Sequence, residues 1–131
     1  FAMRLMHAGL HSFVIGESTT PAIAKSDLLI AISASGKSRM VVELAAAARS
    51  VGAIVAAVTA DVHSPLGTSA AVTVWLPSAS KDSLTESHSQ QFAGSLFEQS
   101  ALLFADAVFQ MLAQHSGQSQ AELFARHANL E

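Results

Sequence analysis

The chain has 131 residues, no cysteine and a formal net charge of −3; half of its residues are hydrophobic and only 13% are charged. These values fit one folded domain, and they exclude an intrinsically disordered chain, a disulfide scaffold and a thiolate metal site. With no basic stripe, no apolar run of about 18 residues and no secretory signal, we expect no nucleic acid or membrane partner and a cytoplasmic location.

Apolar runs and breaker residues predict the secondary structure in chain order. The predicted elements are a helix ending at Gly9, a strand at 11–16, a polar connection at 17–26, a strand at 27–33, a helix at 39–51, a strand at 53–59, one helical turn after 64, a strand at 72–77, a polar loop at 78–94, a helix at 95–117 and a short helix near the end. The unbroken apolar runs at 27–33 and 53–59 are typical of strands buried on both faces of a parallel sheet. The helix at 95–117 has a thin polar stripe, which predicts that most of its surface is buried.

This alternation of strands and helices predicts an α/β fold with a parallel sheet covered on both faces. In such sheets a ligand binds at the carboxyl ends of the strands. The sequence SASGKS, residues 33–38, lies at that end of the strand predicted at 27–33. The loop at 78–94 is unusually long for a compact domain, which indicates a functional or mobile segment.

The SASGKS segment has the residue types that hold a phosphate. Gly36 lets the backbone approach a ligand, and the N–H groups and dipole of the following helix favour an anion. The hydroxyls of Ser33, Ser35 and Ser38 can add hydrogen bonds. The segment lacks the first glycine of a Walker A motif. On the motif alone, a tight turn with Ser38 as an ordinary N-cap and Lys37 as a solvated charge explains it equally well.

Glu98 is the candidate base. A carboxylate near a phosphate loop can remove a proton next to a carbonyl, which requires one well-placed base. The alternative is structural, because Ser95 and Glu98 have the spacing of a capping box at the start of a helix. The local sequence favours the cap, and the two roles can coexist.

Two further groups are open to both interpretations. The six histidines are scattered without the spacing of a helical metal site, so we expect no metal, and His127 stands in a polar tail where solvent exposure is the simpler reading. Thr19 and Thr20 follow the strand predicted at 11–16 and would lie near the ligand, although a hydrogen-bonded turn explains them equally well.

Together these segments resemble the SIS (sugar isomerase) family of phosphosugar-binding domains. The resemblance rests on FAMRLMH, GESTTP, SASGKS, GSLFEQ and RHANLE, and it extends over nearly all of the chain. It implies one SIS domain over residues 1–131 with a flavodoxin-like three-layer α/β/α fold. Members of the family begin with a helix, a strand and a Gly-Arg-Ser-Gly-type loop upstream of FAMRLMH, so we expect residues 1–131 to lack the N-terminal helix and first strand.

Within the family, GSLFEQSALLFADAV and RHANLE are most similar to the 6-phospho-3-hexuloisomerases. The resemblance implies isomerisation of 3-hexulose 6-phosphate to fructose 6-phosphate through an enediol, in the ribulose monophosphate route of formaldehyde fixation, without a cofactor. It also implies a homo-oligomer, either a tetramer or a dimer, in which His127 assists proton handling by reaching a neighbouring subunit's site. The implied site residues are Ser33, Ser35, Gly36 and Ser38 for the phosphate, Thr19 and Thr20 for the sugar, and Glu98 and His127 for catalysis.

The resemblance leaves three alternatives: a non-catalytic sugar-phosphate sensor, a truncated and inactive subunit, and another isomerase such as arabinose 5-phosphate isomerase. Sensors in this family normally carry a basic helix-turn-helix segment, and the arabinose enzymes usually carry further domains. The sequence also departs from the family pattern, because Lys37-Ser38 replaces the more usual acidic residue or Arg followed by Thr. In addition, QQFAGS replaces the commoner QPMGS.

Overall fold

A computed structural model describes residues 1–78 and 91–130. The chain divides into two compact units, a central unit (Ala22–Ala101) and a terminal unit (Phe1–Pro21 together with the residues from Leu102 onward). The helices and strands are α1 (Ala2–His7), β1 (Leu28–Ile32), α2 (Arg39–Ser50), β2 (Ile54–Thr59), α3 (Pro65–Ser69), β3 (Val72–Trp75), α4 (Ser95–Ser116) and α5 (Gln120–Phe124). Most of the loop predicted at 78–94 lies outside the described residues.

The central unit contains a parallel sheet in the order β1-β2-β3. Leu28 is in register with Ile54 at the start of β1 and β2, and Thr59 is in register with Trp75 at the end of β2 and β3. The parallel α/β fold and the strands predicted at 27–33, 53–59 and 72–77 are therefore confirmed. Parallel neighbours place all three carboxyl ends at the same edge of the sheet.

Small side chains bring α2 close to the sheet. Ala45 and Ala48 of α2 are at most 2% exposed and belong to one cluster with Val55, Ala57 and Leu66. Because alanine adds little bulk, the helix backbone can lie near β2 without leaving a void. The exposed side of α2 carries an i,i+4 ion pair, with Arg39 Nε 2.8 Å from Glu43 Oε1.

The turn after β2 forms as its residues predict. Ser64 occupies the N-cap of α3, its hydroxyl accepts a hydrogen bond from the Gly67 N–H, and Pro65 stands at the first helical position. Proline is suited to that position because its missing N–H would have had no helical partner there. Ser64 is fully buried, so the turn is firmly attached to the central unit.

Three predictions about buried apolar segments are wrong. Residues 11–16 form no strand, and Phe13 to Ile15 are about half exposed, because no described strand pairs with their backbone. In β1, Leu28 and Ile32 are exposed because this strand is at the edge of the described sheet and pairs only with β2. In α4, several large apolar side chains are exposed, among them Leu102, Leu103 and Met111.

Length and composition make α4 the one helix in the described ranges that could cross a membrane. The same two properties are met by helices in the cores of water-soluble domains, so they do not separate the two environments. The helix also carries Asp106, whose carboxylate lies 2.8 Å from the Arg4 guanidinium in the terminal unit. Arg4 in turn lies over the ring of Phe109, 5.6 Å from its centroid.

Candidate active site

The loop 33–38 leaves the carboxyl end of β1 and turns sharply into α2. The Ser33 N–H donates to the Val58 carbonyl at 3.0 Å, which extends the sheet by one bond beyond β1. The Gly36 N–H then donates to the Ser33 carbonyl at 3.1 Å and closes the turn. The hydroxyls of Ser33 and Ser38 lie 3.1 Å apart, so the two ends of the loop are joined by side chains.

Gly36 is required by both its conformation and its surroundings. Its φ is +59°, which lies in the left-handed region that favours glycine. A Cβ at this position would overlap the Ser64 hydroxyl and would lie 2.6 Å from the Ser64 Cβ. The Gly36 carbonyl also accepts a hydrogen bond from the Leu66 N–H at 3.1 Å, so α3 supports the loop from below.

Ser38 holds the N-cap position of α2, but its side chain makes no capping hydrogen bond. Its hydroxyl pairs instead with the hydroxyl of Ser33. Ser38 is therefore an N-cap by position, but it lacks the side-chain hydrogen bond that an ordinary N-cap makes. The first N–H groups of a helix have no intrahelical acceptor. The start of α2 therefore offers donors to a ligand at the loop.

Lys37 makes an ion pair with a residue outside the loop. Its Nζ lies 3.2 Å from Asp61 Oδ2, on the segment between β2 and α3. The hydrogen bond from Lys37, together with the His63 N–H, lowers the pKa of the Asp61 carboxyl below its ordinary value of 3.8, against the opposing effect of partial desolvation. Lys37 thus joins two loops, while its side chain stays 62% exposed, as expected of a solvated surface charge.

This ion pair predicts a loss of stability in acid. A carboxyl whose pKa is lower in the folded state stabilises that state above the unfolded pKa, and the contribution disappears as the pH falls through the folded value. We expect Asp61→Asn to have a lower Tm than the unchanged chain at pH 5, and the gap to close below pH 3.8. Thermal unfolding of both proteins from pH 5 to about pH 2 measures this difference in Tm. A gap of constant size down to the lowest pH would contradict the ion pair.

A cleft of about 350 Å³ opens beside the loop within the central unit. It brings together the three serines of the loop and Glu98, which are far apart in the sequence. Ile32 and Phe97 add apolar surface, and Phe97 is 5% exposed at the start of α4. The full lining comprises Ile32, Ser33, Ala34, Ser35, Ser38, Gly94, Phe97 and Glu98. The cleft therefore combines hydroxyl and N–H donors on one side with a carboxylate on the other.

The Glu98 carboxylate is available for chemistry, because the predicted capping box does not form. Ser95 is already inside α4, and its hydroxyl donates to the Phe92 carbonyl at 2.7 Å. The Glu98 N–H donates to the Gly94 carbonyl, while its exposed carboxylate makes no hydrogen bond or ion pair with any residue that the structure describes. The structural alternative for Glu98 is therefore wrong.

Thr19 and Thr20 belong to the terminal unit and are not among the residues that line the cleft. They form the hydrogen-bonded turn that was the alternative interpretation. The Thr20 hydroxyl donates to the Val14 carbonyl at 2.6 Å, and its N–H donates to the Glu17 carbonyl at 3.1 Å. Their contact with a sugar stays a prediction.

His127 also belongs to the terminal unit, where it takes part in an aromatic stack. Its ring centroid lies 5.2 Å from that of His7 and 5.5 Å from that of Phe124, with nearly parallel planes. The guanidinium of Arg126 donates to the His7 carbonyl at 2.9 Å and ties α5 to the end of α1. The tail is thus ordered by specific contacts, and a catalytic role for His127 stays a prediction.

Residues 1–101 match the SIS domain family. The chain belongs to the SIS domain family. In this SIS domain, the cleft lies where the loop after β1 meets the start of α4, at the carboxyl edge of the parallel sheet. Sequence reasoning had located the loop and Glu98 but missed Ile32, Gly94 and Phe97. The position of Phe97 directly before the candidate base, in the first turn of α4, is the signal that could have indicated it.

Two relatives that align with nearly all of this SIS domain bear the same name. The chain is 47% identical over 130 residues to 3-hexulose-6-phosphate isomerase of Mycobacterium gastri, covering 99% of this chain and 65% of that protein. It is 42% identical over 132 residues to 3-hexulose-6-phosphate isomerase of Bacillus subtilis, covering 100% of this chain and 71% of that protein. The chain thus spans 65% of the length of the mycobacterial relative.

A solved structure resembles this SIS domain along almost its whole length. A hypothetical protein from Methanococcus jannaschii superimposes with a TM-score of 0.83 at 33% identity, over 99% of this chain and 69% of that one. Its crystal structure was described as inferring a molecular function of 3-hexulose-6-phosphate isomerase. The resemblance supports the parallel α/β fold.

Proposed function

We propose that this chain carries the substrate site of an isomerase that interconverts 3-hexulose 6-phosphate and fructose 6-phosphate. The observation that carries the proposal is the cleft, which joins the serine loop 33–38 to the carboxylate of Glu98. Two relatives bearing the name of that enzyme, at 47% and 42% identity, support the choice of substrate. The resemblance to the family further indicates a role in the ribulose monophosphate route.

The phosphate binds at the loop. The hydroxyls of Ser33, Ser35 and Ser38 and the first N–H groups of α2 supply donors, and the positive end of the α2 dipole favours the dianion. No lysine or arginine lines the cleft among the residues that the structure describes. The phosphate is therefore positioned by the directions of these hydroxyl and N–H hydrogen bonds and not by attraction to a cationic side chain.

The reaction takes place at the other end of the substrate, next to Glu98. The base removes the proton on C2 of the 3-hexulose, and the electron pair of that C–H bond forms the C2=C3 bond while the C3 carbonyl oxygen takes the charge. A proton then moves between the two oxygens, and the protonated Glu98 returns a proton to C3, which leaves the carbonyl at C2. One carboxylate suffices because removal and return use the same group.

The proposal also includes an oligomer, proton assistance by His127, sugar contacts from Thr19 and Thr20, and a cytoplasmic location.

The oligomer is supported by apolar side chains of α4 that are more than half exposed, Leu102 and Leu103 at 64% and 69% and Met111 at 59%. Surfaces of this kind are typical of subunit interfaces. Sedimentation of the purified chain tests it, and a monomer at high concentration would contradict it.

The test of the function is isomerisation of 3-hexulose 6-phosphate by the 131-residue chain, read as fructose 6-phosphate formed. We expect turnover with this ketose and much slower turnover with arabinose 5-phosphate, which lacks the terminal CH2OH group next to the reacting carbons and carries its carbonyl on the reacting carbon farther from the phosphate. A chain that binds fructose 6-phosphate but does not isomerise it would be a binding module. Faster turnover of arabinose 5-phosphate would assign the site to a different isomerase.

A further inference from the structure

Thr59 is a fully buried hydroxyl residue at the carboxyl end of β2, and the reaction above does not use it. Its Oγ1 donates a hydrogen bond to the Ala34 carbonyl at 3.1 Å and accepts one from the Asp61 N–H at 3.2 Å. The Ala60 N–H donates to the same Ala34 carbonyl at 3.0 Å. This one carbonyl of the phosphate loop is therefore held by two donors from the neighbouring strand end.

Holding that carbonyl also sets the direction of the next N–H. The peptide between Ala34 and Ser35 is planar and trans, so its N–H points opposite to its C=O. Because the carbonyl points at Thr59, the Ser35 N–H points away from β2. Ala34 and Ser35 both line the cleft.

The hydrogen bonds of the loop show which N–H groups remain available. Those of Gly36 and Lys37 are used inside the loop, bonding to the Ser33 carbonyl and the Ser35 hydroxyl. Among the residues that the structure describes, the Ser35 N–H has no protein acceptor. A donor that is oriented and unpaired at a ligand site is ready to bind without rearrangement.

We infer that Thr59 is a positioning residue of the phosphate site, which orients the Ser35 N–H toward the phosphate by holding the Ala34 carbonyl. The inference rests on the proposed function for the identity of the sugar, but not for the binding of the phosphate. It assigns to a residue outside the cleft a share of the substrate affinity. It also explains a buried hydroxyl at the end of an otherwise apolar strand.

The test compares Thr59→Val, which removes the hydroxyl and keeps the shape, with Thr59→Ser, which keeps the hydroxyl. Thr73→Val is the matched control, because the Thr73 hydroxyl also donates to a backbone carbonyl, that of Gly67 at 2.7 Å, but does not touch the loop. Calorimetry with inorganic phosphate and with fructose 6-phosphate gives Kd for each protein. Thermal unfolding gives the cost to stability.

We expect Thr59→Val to raise both Kd values about tenfold, the effect of one misaligned hydrogen bond to a charged group. Thr59→Ser should bind within about twofold of the unchanged chain, and Thr73→Val should lower Tm without changing Kd. In the isomerisation assay, Thr59→Val should raise KM while kcat stays within about twofold, since the phosphate is bound equally in the ground and transition states.

The outcomes separate this inference from the proposed function. If the unchanged chain binds phosphate but does not isomerise the hexulose phosphate, a tenfold loss in Thr59→Val still supports the inference while the proposed function fails. If Thr59→Val binds both ligands like the unchanged chain and only loses Tm, the hydroxyl is structural and the inference is overturned. An unchanged chain that binds neither ligand would overturn both.

Discussion

Glu98→Gln is expected to lower kcat for 3-hexulose 6-phosphate by about 10²–10⁴-fold, the usual contribution of a general base. Glutamine keeps the size and shape of the side chain but cannot accept the proton from C2. Since the carboxylate makes no bond with any residue that the structure describes, its loss should not disturb the cleft. Fructose 6-phosphate should therefore bind within a fewfold of the unchanged affinity, measured by calorimetry.

The matched control is Glu43→Gln on α2, an exposed glutamate whose partner is Arg39 rather than the cleft. Its loss removes a surface ion pair worth less than about 1 kcal/mol and should leave kcat unchanged. Glu98→Gln with full turnover would eliminate Glu98 as the base and leave the reaction without an assigned carboxylate. If Glu98→Gln loses both the binding of fructose 6-phosphate and turnover, Glu98 would instead be a residue that holds the sugar.

Gly36→Ala is expected to abolish phosphate binding and to destabilise the fold. Alanine at a φ of +59° costs about 1–2 kcal/mol by itself. Its Cβ would also overlap Ser64, which is fully buried and already engaged with α3, so neither side can yield easily. We expect about 1–3 kcal/mol more for this overlap and a shift of the loop away from its binding conformation.

Gly117→Ala separates the two costs. Gly117 has nearly the same φ, +65°, but a Cβ there meets nothing within 4 Å. This control should show the conformational cost alone in urea unfolding, and its affinity for inorganic phosphate should be unchanged. Equal losses of stability in the two variants, with phosphate still bound by Gly36→Ala, would mean that the loop does not depend on close contact with Ser64.

Several parts of the fold could be predicted because they depend on neighbours in the sequence. The run at 53–59 is apolar at every position but the last, which is typical of a strand buried on both faces, and it became the central strand β2 of the described sheet. Ser64 followed by Pro65 specifies a helix start through one hydroxyl and one fixed φ. The loop 33–38 was visible as a candidate phosphate site for the same reason, since glycine and hydroxyl residues between a strand and a helix act locally.

Other features depend on what lies beside a segment, and the sequence pattern does not contain that information. Residues 11–16 have the composition of a strand but no described strand pairs with them, and α4 has the composition of a buried helix while Leu102 and Leu103 are exposed. An apolar pattern states what a segment can bury, whereas its neighbours determine what is buried.

The sequence by itself determined the parallel α/β fold, and it indicated the loop 33–38 as a candidate phosphate site and Glu98 as a candidate base. Only the tertiary structure decided that Glu98 and the serines share one cleft, that Lys37 forms an ion pair with Asp61, and that Thr59 donates a hydrogen bond to the loop. The physical reason is distance along the chain. Hydrogen bonds between β1, β2 and α3 join residues that no local periodicity relates, so their contacts exist only once the sheet has formed.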